Sequence, residues 1–168
     1  MQERDFLDLI ERNRGRLLRI CRAYARDEAT RQDLFQEIVY QLWRSLPRFR
    51  GEAQPDTFLY RVAINTALTH VRREGKRQTA PLEQAPPPVA QPNWDRAMDQ
   101  AQQLQALYAA IDQLKPADRT LILLWLEEMS YQEMAEITGL SVNLIGVRLN
   151  RIRQRIEQLV VGRIRGTE

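Results

Sequence analysis

The chain has 168 residues, enough for one ordinary domain or two small ones. Hydrophobic residues at 43% and charged residues at 28% permit a packed core and exclude wholesale disorder. One cysteine, Cys21, excludes an internal disulfide and a multi-cysteine zinc site, and the net charge of +3 hides a basic end where Arg148, Arg151, Arg153, Arg155, Arg163 and Arg165 are opposed by Glu157 and Glu168 alone. In chain order, Phe6, Leu9, Ile10, Leu17, Ile20, Cys21 and Tyr24 recur at helical spacing and predict a first helix. Thr30 reads as the N-cap of a second helix, with Asp33 in its first turn. Leu34, Phe35, Ile38, Val39, Leu42 and Leu46 form its apolar side. The stretch "PRFRGEAQPD" reads as a loop. A third helix is expected from Asp56 or Thr57 to about Arg73, with Leu59, Val62, Ala63, Thr66 and Val71 turned inward.

The stretch "TAPLEQAPPPVAQPNW" holds five of the eight prolines, so neither helix nor sheet continues there. Residues 76–93 are therefore read as a linker between domains at 1–75 and 94–168. On a polyproline path it would reach roughly 50 Å. Beyond it, Trp94, Met98, Ala101, Leu104 or Gln105, Leu107, Tyr108, Ile111 and Leu114 mark another helix. Pro116 suits the first turn of the next, which carries "LILLWL". That run, Leu121 to Leu126, is too short to span a bilayer. With no charged start followed by an apolar run, a soluble cytoplasmic protein is the expectation. Strand alternation is absent, so the fold class is all-α: two small helical domains joined by a Pro-rich linker.

The segment "SYQEMAEITGLSVNLIGVRLNRIR" opens on a capping box, Ser130 with Glu133. Gly139 stops that helix and Ser141 caps the last one. Met134, Ala135, Ile137, Leu140, Ile145 and Leu149 form the inward set of a helix-turn-helix. Asn143, Gly146, Val147, Asn150 and Arg151 then face outward from its second helix, which in such motifs lies in the major groove. Arginine grips guanine and asparagine grips adenine through paired hydrogen bonds.

Three segments together resemble the sigma factors of bacterial RNA polymerase, in particular the small extracytoplasmic-function group. "TRQDLFQEIVYQLWR" carries the Asp-x-x-Gln-Glu pattern as Asp33, Gln36 and Glu37, followed by Leu42 and Trp43. "TFLYRVAINTALTHVRRE" follows a Thr-Trp-Leu-Tyr-Arg-Ile-Ala-x-Asn pattern, with Phe58 for Trp and Val62 for Ile. The segment from Leu114 to Arg153 is similar to the promoter-reading second domain of that group. The departure lies in the last helix, where the common Gly-Thr-Val-Lys-Ser-Arg-Leu-x-Arg-Ala-Arg stands as Asn143 to Arg153. Gly146 replaces the basic residue there and Val147 the serine.

The resemblance implies a factor that binds core RNA polymerase, selects promoters and helps to open them. It implies no catalytic residue, no metal and no cofactor. Polymerase binding would fall to Asp33, Gln36, Glu37, Tyr40, Trp43 and Arg44, of which Asp33, Glu37, Tyr40 and Arg44 share one helix face. Capture of the minus-ten element would fall to Phe49, Arg50, Arg61, Asn65, Thr69, Arg72 and Arg73. Arginines neutralise phosphates, and an aromatic ring stacks on an extruded base for roughly 1–3 kcal/mol. Reading of the minus-thirty-five element would fall to Asn143, Val147, Arg148, Asn150 and Arg151, with Val147 against a thymine methyl. Partners implied are core polymerase, promoter DNA and an anti-sigma factor, often membrane-bound.

Two other readings stand beside this one. A free-standing helix-turn-helix regulator accounts for Ser130 to Arg153 but leaves the Asp33 face and the Asn65 helix without purpose. An enzyme would need a site such as Asp33 with Glu37 or Glu133 with Glu136. No histidine accompanies either pair and no Gly-rich phosphate loop exists.

Overall fold

The computed structural model describes residues 3–49, 54–77 and 100–165. Among these residues there are seven α-helices and no strand: α1 Glu3–Tyr24, α2 Glu28–Ser45, α3 Pro55–Arg77, α4 Gln100–Ile111, α5 Pro116–Leu126, α6 Tyr131–Thr138 and α7 Val142–Arg165. A short 3-10 turn, Leu46–Arg48, follows α2.

Helices α1, α2 and α3 form a three-helix bundle. Their expected stripes make its core: Leu17, Ile20, Leu34, Ile38, Leu42 and Leu59 are almost fully buried. Ile10, Phe35, Val39, Leu46, Val62 and Val71 pack against that core while remaining partly exposed. Helix α2 starts earlier than Thr30. Its N-cap is Asp27, whose carboxylate accepts from the Thr30 backbone N–H at 2.8 Å and from the Thr30 hydroxyl at 2.7 Å. A carboxylate outcompetes a hydroxyl as a cap because it carries charge toward the positive helix end. Those hydrogen bonds hold the Asp27 carboxyl below its ordinary pKa.

Helix α3 starts at Pro55, the position where a missing N–H does no harm. It runs to Arg77, past Arg73 and two residues into the stretch read as linker. The rest of that stretch, with Trp94 and Met98, lies outside the described residues. Helix α4 begins at Gln100 and turns Ala106, Tyr108, Ala110 and Ile111 inward. Both Leu104 and Gln105, between which the spacing did not choose, are exposed.

Helix α7 packs on α4, α5 and α6 to make a second bundle. Pro116 opens α5 after an extended Lys115. The Ser130–Glu133 capping box is complete: Glu133 N–H donates to Ser130 Oγ at 3.2 Å and Ser130 N–H donates to Glu133 Oε2 at 2.8 Å. Gly139 takes a φ of 73° and ends α6, a left-handed angle that a Cβ would strain. Ser141 Oγ accepts from Leu144 N–H at 3.3 Å and caps α7. Met134, Ile137, Ile145 and Leu149 are buried, and Ala135 and Leu140 are partly so. The bundles touch where α1 meets α4 and α5, and where α3 meets α6.

Candidate nucleic-acid interface

Helix α2 is apolar toward the bundle and mixed on its outer side. Asp33, Gln36, Tyr40, Trp43 and Arg44 are exposed. Tyr40 is 53% and Trp43 46% accessible, an unusual exposure for large aromatic rings on a helix that also has a well-filled core side. Trp43 leans edge-on against Phe6 of α1, centroids 5.1 Å apart. Phe35, Val39, Tyr40 and Trp43 join Phe6 in a shallow apolar groove. Sequence spacing placed Phe6 in the core and gave no sign that it also walls this groove. The Arg44 guanidinium lies 5.8 Å from the Tyr40 ring centroid. Glu37 is partly buried and accepts from Gln41 Nε2 at 2.8 Å.

Around the α2–α3 seam, Asp33 and Glu37 line a polar groove with Asn65, Thr69, His70 and Arg73. The acidic face of α2 and the basic face of α3 are thus two banks of one channel. Arg61, Asn65, Thr69, Arg72 and Arg73 are all exposed on α3. The Thr69 hydroxyl donates to the Asn65 carbonyl at 2.8 Å, so its hydrogen is committed to the helix. Phe49 packs on Phe58 with centroids 4.8 Å apart and is partly buried. Phe58 itself is buried in the core. Arg50 lies outside the described residues.

On α7 the outward arc holds Asn143, Val147, Asn150 and Arg151, all exposed, with Val147 54% accessible. Val142 and Leu144 of the same helix are exposed as well, and an aliphatic side chain as open as Val147 is suited to an apolar contact such as a thymine methyl. Arg148 stands on the flank of this arc, partly buried, and its Nη2 donates to Asp118 Oδ1 of α5. Arg153 stacks on Trp125 at 4.9 Å. Gly146, expected to face outward, is partly buried instead. A Cβ there would meet the Tyr131 ring at 3.4 Å, so the first residue of α6 covers the flank that the missing side chain leaves open. A glycine inside a helix signals close approach; the sequence pointed to the DNA duplex as the group that approaches, and within the chain it is the Tyr131 ring that lies close.

Comparison with known proteins decides the family. A model described as Sigma-70 region 2 matches residues 9–77, and one described as Sigma-70, region 4 matches residues 104–156. The ECF RNA polymerase sigma-E factor of Haemophilus influenzae is 30% identical over 141 residues, covering 76% of this chain and 73% of that one. The chain belongs to the sigma-70 family. It falls in the extracytoplasmic-function group of sigma factors, and it is also similar to the RNA polymerase sigma-H factor of Pseudomonas aeruginosa, 29% identical over 93% of this chain and 86% of the other. The match to the ECF RNA polymerase sigma factor SigE of Mycolicibacterium smegmatis, at 27% identity, spans 89% of this chain and 59% of that one. In fold, this sigma-family chain is similar to the sigma factor RpoE solved in complex with the anti-sigma factor NepR from Bartonella quintana, with a TM-score of 0.74, 20% identity, and coverage of 93% of this chain and 96% of that one. Both region models fall on the helices described above: region 2 on α1 to α3, and region 4 on α4 to α7. No helix among the described residues is long and apolar enough to cross a membrane.

Proposed function

We propose that this chain is a dissociable initiation subunit: it binds core RNA polymerase, brings it to particular promoters and helps to open them. Its role is positional, with no covalent chemistry of its own, and it acts in the cytoplasm. The observation that carries this reading is the pairing of an exposed aromatic and acidic face on α2 with two separate basic, asparagine-bearing faces on α3 and α7. A free-standing duplex binder needs only the last of these.

In this reading Asp33, Gln36, Glu37, Tyr40, Trp43 and Arg44 dock on the polymerase, with Tyr40 and Trp43 as the aromatic anchors such interfaces favour. The exposed face of Arg61, Asn65, Thr69, Arg72 and Arg73 holds the separated minus-ten strand. Phe49, and Arg50 beyond the described residues, take the extruded base, for which the Phe49 ring must leave Phe58. Asn143, Val147, Asn150 and Arg151 read the minus-thirty-five duplex. Arg148, tied to Asp118, sets the pose of α7 and reaches DNA through its neighbours. An anti-sigma protein is the expected inhibitor, since it would have to cover these same faces. Changing Asp33 and Glu37 to Ala should abolish retention by core polymerase on a sizing column while leaving helix content unchanged. Full retention of the double variant would remove the docking face from this reading.

A further inference from the structure

Apolar packing and several polar contacts join the two bundles, and one carboxylate gathers the most donors across that seam. Glu127 caps the C-terminal end of α5, and its side chain is only 11% exposed. Donors from two helices of the other bundle converge on it. Arg19 of α1 grips it with both Nε and Nη2, the latter at 2.7 Å. The Tyr60 hydroxyl of α3 donates at 2.9 Å, and Arg16 Nε lies 3.6 Å away. Burial alone would push the Glu127 pKa up, but the hydrogen bonds from Arg19 and Tyr60 and the two guanidinium charges outweigh it and leave the carboxyl below its ordinary range. The next residue, Glu128, takes a φ of 60°, an angle unfavourable for any side chain except in a turn that must be tight. A lesser set of contacts flanks this centre. The Tyr24 and Thr120 hydroxyls meet at 2.6 Å, and Arg22 lies 4.2 Å from the Tyr108 ring.

This arrangement does not fit promoter binding as proposed for α3 and α7. Elements centred near minus ten and minus thirty-five lie about 25 base pairs apart, roughly 85 Å at 34–36 Å per turn. Here α3 touches α6 and α6 touches α7. Two helix contacts at about 8–10 Å each, the roughly 12 Å length of α6 between them, and half the lengths of α3 and α7 amount to roughly 67 Å at most between the centres of α3 and α7. The bundles must therefore separate before both reading helices reach their elements.

We propose that Glu127 is an intramolecular latch: its cluster with Arg16, Arg19 and Tyr60 holds the free chain closed, and polymerase must break it to engage both bundles. This deepens the initiation-subunit reading and rests on it. A charge cluster suits a reversible latch. On opening, each ion regains its hydration, so separation is less unfavourable than exposing an equal apolar area. Binding to the open form alone is weakened by the fraction of chains that are open. The latch therefore sets the apparent affinity for polymerase without touching it.

The test uses the full chain with dyes on cysteines introduced at Gln32 of α2 and Gln158 of α7, both exposed. The native Cys21 thiol is buried, with its pKa pushed up to about 12 by that burial, and does not compete for label. The latch predicts high energy transfer in the free native sequence, lower transfer in Glu127→Gln, and an affinity of Glu127→Gln for core polymerase higher on the order of tenfold. Glu127→Arg should open the chain as well, and adding Arg19→Glu should restore part of the transfer, which a merely misfolded variant would not do. Equal transfer in the native sequence and Glu127→Gln overturns the latch. Lower transfer with unchanged polymerase affinity overturns its gating role alone. Failure of every variant to bind polymerase, whatever the transfer, removes the initiation-subunit reading and the gate with it.

Discussion

The two helices proposed to face DNA, α3 and α7, carry their arginines differently. On α3 the arginines at 61, 72 and 73 stand exposed around Asn65. On α7, by contrast, Arg148 is tied to Asp118 and Arg153 to the Trp125 ring, while Arg151 is exposed beside the neutral Asn143, Val147 and Asn150, with Arg155 one turn further on. A single strand has no fixed groove geometry, so mobile charges that follow its phosphates serve well. A duplex offers a fixed pattern of base edges, and a reader gains from side chains held in one pose. The contrast teaches that the count of arginines on a helix says less than how many of them the fold has already used.

The largest effect should come from stripping the free charges. Arg61→Ala with Arg72→Ala should weaken open-complex formation on all promoters by roughly ten- to a hundredfold, and should lower the salt slope by about 0.7 for each phosphate no longer neutralised. Filter binding across a salt series measures both. An unchanged slope would mean that these arginines do not meet phosphates. Next, Arg151→Ala should lower affinity by about 1–3 kcal/mol, and only on promoters with an intact upstream element. Equal losses on promoters lacking that element would make Arg151 a phosphate contact like those on α3.

A smaller effect is expected from the tied arginine. Asp118→Ala and Arg148→Ala should each destabilise the second bundle by about 1 kcal/mol, allowing for the partial exposure of both side chains. They should share one melting shift and one modest loss of duplex affinity. If Arg148→Ala loses base preference while Asp118→Ala keeps it, Arg148 reads DNA directly and the contrast between the helices weakens. The smallest effect belongs to Gly146→Ala. The better helix former contributes up to about 1 kcal/mol, offset by crowding of the Tyr131 ring at 3.4 Å. Thermal melting should move upward by a degree or two. A clear fall would show that the ring cannot give way.

Much of the fold was legible because its signals are local. The capping box at Ser130, the left-handed stop at Gly139 and the proline at the first turn of α5 each act within one helical turn, and each stands where its residue type predicts. The start of α2 was misplaced because Thr30 and Asp27 are both good caps, and the choice depends on which one reaches the free backbone N–H groups. The family was readable from the resemblance of three segments, and the core stripe of α2 and part of that of α3 from helical spacing, which fixes which side chains share a side. What could not be read was long range. Arg19 and Glu127, 108 positions apart, carry no shared pattern in the chain. Tyr60 and Ile64 are buried although neither belongs to the inward stripe expected of α3; the Tyr60 hydroxyl meets Glu127 of the second bundle. The pairing of Arg148 with Asp118 escaped for the same reason, 30 positions separating them.

Reconstituted initiation tests the central claim most directly. Core polymerase, this chain and a library of promoter fragments are combined, and run-off transcripts are sequenced. The account predicts transcripts from a defined subset of fragments sharing two elements at fixed spacing, none without the chain, and none when Asp33 and Glu37 are both changed to Ala. Tight binding of the chain to duplex without polymerase, together with no chain-dependent transcript from any fragment, would contradict it.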